Sequence, residues 1–335
     1  MSGVRALRRI QIGTESTGTP GTAVAATACL RMVGTLEDLR EVVFPPEDVG
    51  LLSGTDRMYV PKYLAGITTE GGITFEQVGY IFQAGMAETT ATTDTGTGTG
   101  YIYTFPLATS AQRVPQTYTI EGGDDQEAEE MAYSFVKEFT LSGNAGENWN
   151  VSANWSGRTC STTTFTASTD APLPTVTEAL FSQTRLYIDD DTGTMGTTVK
   201  SNTLLSAELK VATGFQEVFT ADGELYFTFV KQVPPEVTLT ITFEHDGTST
   251  AEKTAWRAGT ARLIRLNCLG PALTAAGAHT YKTLQINLAG RWEKFEKLDE
   301  MDGNDVVKGV FRARYNSTSA TFGSIVLVNE LSVLP

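Results

Sequence analysis

The sequence predicts a mainly β chain in which one small β-rich module is built twice. Three observations carry that expectation. Period-two alternation of apolar and polar residues dominates, helical periodicity is confined to two short stretches, and the order of elements around those stretches recurs. At 41% hydrophobic and 19% charged residues, the 335-residue chain can bury a sizeable core and lacks the composition of a disordered one.

Taken in order, residues 1–30 read as an extended N-terminal arm, because 13–29 (GTESTGTPGTAVAATAC) offers little to bury. A first β module is expected over 31–160. It holds an extended segment from Tyr63 to Glu70 and a helix from Thr74 to Met86, with Phe75, Val78 and Phe82 at helical spacing. A mobile Thr/Gly loop over 89–100 follows, then strands at Tyr101–Phe105, Gln116–Glu121, Ser134–Ser142 and Asn148–Gly157. The Thr-rich stretch 161–174 reads as a linker. The second module, 175–335, repeats the order: strands at Thr203–Val211, Glu224–Lys231 and Glu236–Glu244, then a helix at Ser249–Ala258 capped by Ser249 or Thr250. Strands at Thr260–Asn267, Tyr281–Leu288, Asp305–Tyr315 and Ala320–Leu331 close it.

A formal net charge of −14 opposes the sequence-independent phosphate binding of basic proteins. No run approaches the roughly 20 apolar residues of a membrane span. The N-terminus has Arg5, Arg8 and Arg9 but no apolar signal segment, so folding in a cytoplasm without membrane binding is expected. Cys29, Cys160 and Cys268 lie far apart and read as small buried hydrophobes.

The sharpest enzymatic pattern is a repeated Asp-Thr-Gly, at Asp94–Gly96 and Asp191–Gly193, as in pepsin-like aspartic proteases, where two carboxylates share a proton. Here Thr92 and Thr93 precede one copy and Asp189 and Asp190 the other, where that chemistry needs apolar strand residues, so both read as turns. Gly96, Gly98 and Gly100 lead into a strand rather than a helix and lack a following Lys, which argues against a phosphate loop. Asp189, Asp190 and Asp191 lack the spacing of an EF-hand. His245 and His279, the two histidines, have no ligand partners at metal-site spacing. No catalytic, cofactor-binding or metal-binding residues are therefore expected, and the chain is read as a non-enzyme. Trp149, Trp155, Trp256 and Trp292 leave a carbohydrate-binding β-sandwich as an alternative, although aromatic residues in strands more often build core. The acidic runs at 121–130 and 296–305 read as solvated loops or as loops presenting negative potential.

The stretches RRIQIGTESTGTPGTAVAATACLRM, PPEDVGLLSGTDRMYVPKYLAGITTEGGITFEQVGYIFQAGM, IYTFPL and TYTIEGG together resemble the tail tube proteins of long-tailed bacteriophages. Ile12–Ala23, Pro46–Gly50, Gly66–Phe82 and Phe139–Gly146 follow that family's order, and the second half follows it in pattern. The resemblance implies two tandem tail-tube-like β-sandwich or barrel modules, each with a short flanking helix. It implies a structural virion subunit assembled in the host cytoplasm, whose rings stack into a hollow tube around the tape measure protein and later pass DNA. Implied partners are further copies of the chain, the tape measure protein, and tail terminator and tail tip proteins. Two modules per chain favour a trimeric ring with pseudo-sixfold symmetry, with a hexamer second. On the same footing Gly13, Thr14, Glu15, Thr19, Pro20 and Gly21 are inter-ring contact candidates, and Asp124, Asp125, Glu127, Glu129 and Glu130 are lumen-facing candidates. A decoration or capsid-associated protein is the alternative within the structural class.

Overall fold

Alternating sequence becomes strand wherever one face can be covered, and in the computed structural model, which describes residues 3–87, 89–96 and 98–334, most of the chain does so. The first half supplies β1 (Arg9–Thr14), β2 (Ala28–Cys29), β3 (Glu37–Asp38), β4 (Ala65–Gly72), helix α1 (Val78–Gly85), β5 (Thr92–Thr93), β6 (Tyr101–Pro106), β7 (Tyr118–Gly123), β8 (Ala128–Asn144), β9 (Asn150–Gly157) and β10 (Thr159–Thr163). The second supplies β11 (Thr184–Asp190), β12 (Val199–Lys200), β13 (Leu204–Ala212), β14 (Phe215–Val218), β15 (Phe229–Gln232), β16 (Glu236–Glu244), helix α2 (Gly247–Ala258), β17 (Ala261–Ala272), β18 (Tyr281–Phe295), β19 (Asp299–Met301), β20 (Asn304–Ala313) and β21 (Gly323–Asn329).

The strands pair antiparallel in three connected layers. A central sheet runs β3–β4–β9–β8–β13–β16–β20. A second runs β2–β1–β7–β8–β10 and a third β12–β11–β17–β18–β21–β6–β5. Two long strands join the layers: β8 pairs with β7 and β10 early and with β9 and β13 later, and β18 leaves β21 to pair with β20. Each carries a register shift where it passes along the central sheet, at Val136/Glu138 and at Trp292/Lys294.

The bend in β8 has an identifiable cause. Tyr133 takes a positive φ of 55°, costly for a side-chain-bearing residue, and its N–H donates to the buried Glu15 carboxylate at 2.8 Å. The Arg158 guanidinium lies 4.4 Å from its ring centroid.

Register explains the core. Val151, Leu141, Leu209, Leu239 and Phe311 lie opposite one another on successive strands of the central sheet, and all are buried. Helix α1 fills the space behind them, with Phe82 at 5.4 Å from Phe105 and 5.6 Å from Phe139, and Tyr80 edge-on to Tyr118 at 5.6 Å. Helix α2 packs on β18, where buried Glu252 accepts from Trp292 Nε1 (2.9 Å) and Arg262 Nε (3.1 Å).

Several expectations shift. The helix expected over Thr74–Met86 begins only at Val78, because Thr74 bridges to Glu178 and its backbone is extended. Asp246, not Ser249 or Thr250, caps α2; its side chain accepts the Ser249 N–H at 2.9 Å while Ser249 Oγ accepts the Asp246 N–H at 3.0 Å. Gly259 ends that helix at φ 65°, the left-handed position glycine adopts without strain. Of Glu224–Lys231 only Phe229–Lys231 is strand, because this segment leaves the main sheets to form a two-stranded ribbon with β14. The N-terminal segment places β1 against β7 with Ile10 and Ile12 buried, and β10 extends to Thr163, into the Thr-rich stretch read as a linker. The 89–100 stretch carries β5 and a buried Asp94, while its Thr97 lies outside the described residues.

Candidate functional site

The surfaces that distinguish this molecule lie on the central sheet and beside it. Opposite the core row, Glu70, Ser152, Thr140, Lys210, Thr238 and Arg312 stand across from one another on successive strands and point away from the core. The face they share is hydroxyl-rich, and two of its cations are held by carboxylates: Lys210 by Glu208 at 2.9 Å, Arg312 by Glu236 at 3.0 Å and by Glu293 at 3.7 Å. A polar trough of about 560 Å³ crosses it, lined by Ser142, Ser206, Glu208, Thr240 and Lys308 among others.

Beside β4 the chain makes an arm from 39 to 64. Its two legs are joined by Leu39 N–H to Leu64 O (2.8 Å) and by the Val43–Tyr59 pair (2.9 and 3.1 Å). At its end Glu47 accepts from Thr55 Oγ1 at 2.8 Å and pairs with Arg57. The arm carries Phe44, Val49, Leu51, Leu52 and Met58 exposed, a concentration of apolar side chains that a soluble monomer does not need.

The inter-ring candidates fall in two environments. Gly13 and Thr14 pair with Thr119 and Tyr118 in β1, and Glu15 is buried, accepting from Tyr133 N–H, Thr119 Oγ1 (3.0 Å) and Gly21 N–H (2.7 Å). Thr19 is exposed, and Pro20 and Gly21 are half-buried. The lumen candidates cluster at the β7–β8 hairpin. Asp125 and Glu127 are exposed there, Asp124, Glu129 and Glu130 half-buried, and Asp124 Oδ1 accepts the Gln126 N–H at 2.9 Å to close the turn.

The Asp-Thr-Gly copies occupy unlike surroundings. Asp94 is buried against His279, whose N–H it accepts at 2.9 Å and whose Nδ1 lies at 3.2 Å, whereas Asp191 sits in the turn after β11. Asp189 spends its oxygens on Gly196 N–H (2.7 Å), Thr197 Oγ1 (2.7 Å) and Thr198 N–H (2.8 Å). Burial works against its charged form, but those bonds outweigh it and hold the carboxyl below the usual carboxylate range. Trp149, Trp155 and Trp292 are buried, each with its indole N–H donating inside the protein, to Thr184, Thr69 and Glu252, so none is a sugar platform.

A family model described as phage tail tube protein matches residues 6–318, nearly the whole chain and both of its halves. The chain belongs to the phage tail tube protein family. No curated protein matches it. Membership assigns a structural role in the virion tail and a homo-oligomer that stacks into a tube.

Sequence reasoning passed over the arm because its apolar residues follow neither a strand nor a helix period. The available signal was the apolar residues themselves, Phe44, Val49, Leu51 and Leu52, set among Pro, Gly and Asp where no core element can form. The polar face was legible only as half of each alternating strand.

Proposed function

We propose that this chain is the tube-building subunit: copies close side by side into rings, the rings stack through the apolar arm, and the polar face of the central sheet lines a bore. The exposed arm carries this reading, because its side chains gain most when they are buried against another copy. Thr19, Pro20 and Gly21, exposed or half-buried beside the chain's own N-terminal turn, are placed to add to the inter-ring contact. The bore holds the tape measure protein and later passes DNA, whose sliding is favoured by the neutralisation of Lys210 and Arg312 in place on the sheet face. Asp124, Asp125, Glu127, Glu129 and Glu130 add negative potential along the same route. Two modules, 31–160 and 175–335 about the 161–174 stretch, make a trimer with pseudo-sixfold symmetry the favoured ring and a hexamer the second. Tail terminator and tail tip proteins then cap the two ends, and assembly takes place in the host cytoplasm without a catalytic step.

Negative-stain electron microscopy of the purified protein over a concentration series tests this. Rings or tubes that grow with concentration are expected. A monomer at high concentration in several salts overturns the reading.

A further inference from the structure

The strand pairings of the first half recur in the second. The connections β1–β7, β7–β8, β8–β10, β8–β9 and β9–β4 have the same pattern as β11–β17, β17–β18, β18–β21, β18–β20 and β20–β16. The bulges coincide as well: Val136/Glu138 in β8 falls where Trp292/Lys294 falls in β18. Equivalence extends to the strand before each helix. Ser206 lies opposite Thr242 as Val33 lies opposite Glu70, and Lys210 opposite Thr238 as Glu37 lies opposite Gly66. Segment 33–39 therefore corresponds to 206–212.

The two segments differ in one respect. Residues 206–212 are sandwiched, paired with β16 on one edge and with 138–144 of β8 on the other. Segment 33–39 has only β4, and beyond Arg291 the corresponding edge of β18 has no strand partner among the described residues. Both are edges without a strand partner at opposite ends of one sheet, and such an arrangement adds copies head to tail. Helix α2 touches the second edge where Trp256 Nε1 donates to Glu293 O (3.1 Å).

We infer that the ring joint is a strand pairing between β18 of one copy and residues 33–39 of the next, in the register that β8 and β13 already adopt within the chain. Glu138 opposite Ala212 then sets Lys294 opposite the neighbour's Leu39, and Phe139 opposite Val211 sets Phe295 opposite its Asp38. The short β3 lengthens on docking, since the new ladder satisfies its outer N–H and C=O groups. This joint rests on the tube-building reading above and names the surface that closes its rings.

Paired cysteines test it, because residues directly opposite on antiparallel strands bring Cβ atoms within disulfide reach. Lys294→Cys with Leu39→Cys, both at exposed positions, is oxidised in assembled material beside Glu138→Cys with Ala212→Cys as the intrachain control. Leu39→Cys with Lys308→Cys, one strand away, is the off-register control. The expected result is a ladder of covalent oligomers for the first pair alone, ending at the copy number of the ring. In the parent protein, a carbodiimide should also join Lys294 or Lys297 of one copy to Glu37 or Asp38 of another, which keeps the test open if the double variant fails to assemble. Tubes that form without either cross-link overturn the joint while leaving tube building intact. A parent protein that never assembles overturns tube building itself.

Discussion

Glu15 shows how one side chain sets the shape of a sheet. It comes from a stretch with little to bury, yet its carboxylate holds the left-handed Tyr133 at the point where β8 leaves one sheet for another, and it ties down Thr119 and Gly21. Glu15→Ala removes the acceptor and leaves the Tyr133 N–H buried and unpaired. A loss of about 2–4 kcal/mol in urea unfolding is expected, with Glu15→Gln recovering part of it. Asp189 works similarly for the turn after β11, with a different dependence on pH. Its folded pKa is depressed, so its contribution is present above the unfolded value, near 3.9, and is lost as pH falls through the folded value. Thermal unfolding should show the parent losing stability more steeply than Asp189→Asn below about pH 4. Equal slopes would mean that the Thr197 and Thr198 bonds do not favour the charged form.

At the scale of elements, β1 corrects the notion of a free arm. Ile12 is fully buried and the strand pairs with β7 from Arg9 to Thr14. Ile12→Ala should cost about 2–5 kcal/mol, and a chain beginning at Cys29 should lose its cooperative unfolding transition by circular dichroism, where a dispensable arm would leave it unchanged. The reason β1 went unread is physical: RIQIGT is too short for its alternation to stand out, and its partner strand lies over a hundred residues away. Longer strands were legible. Glu236–Glu244 appears with its expected bounds because TLTITF alternates without interruption on a sheet with one covered face. The ribbon segment ELYFTFVK has the same pattern, but Phe227 turns into a satellite cluster with Phe135 and Phe215, which no local period reveals. The candidate surfaces were least legible of all. Exposure of Leu51 and Leu52 is a property of the folded arm, and a hydrophobic residue in sequence carries no mark of which side it will face.

Among the described residues, exposed apolar side chains are densest along the arm, so assembly and folding should separate under mutation there. Leu51→Ser with Leu52→Ser should leave the thermal midpoint within a few degrees of the parent, since surface substitutions change stability by only about 0.5 kcal/mol. Tube length in electron micrographs should nonetheless collapse while single rings persist. Tubes of parental length would remove the arm from the stacking contact.

The β8–β13 ladder, from Glu138 to Asn144 against Ala212 to Ser206, lies within one polypeptide. Its local concentration is fixed by tethering and is independent of dilution. A seam of this kind forms during folding, ahead of any encounter between subunits, and it survives disassembly. Amide hydrogens of Leu209 and Leu141 should therefore exchange slowly at every protein concentration, whereas those of any ladder made between copies should lose protection as the solution is diluted. Each subunit therefore carries this seam already closed before it meets another copy.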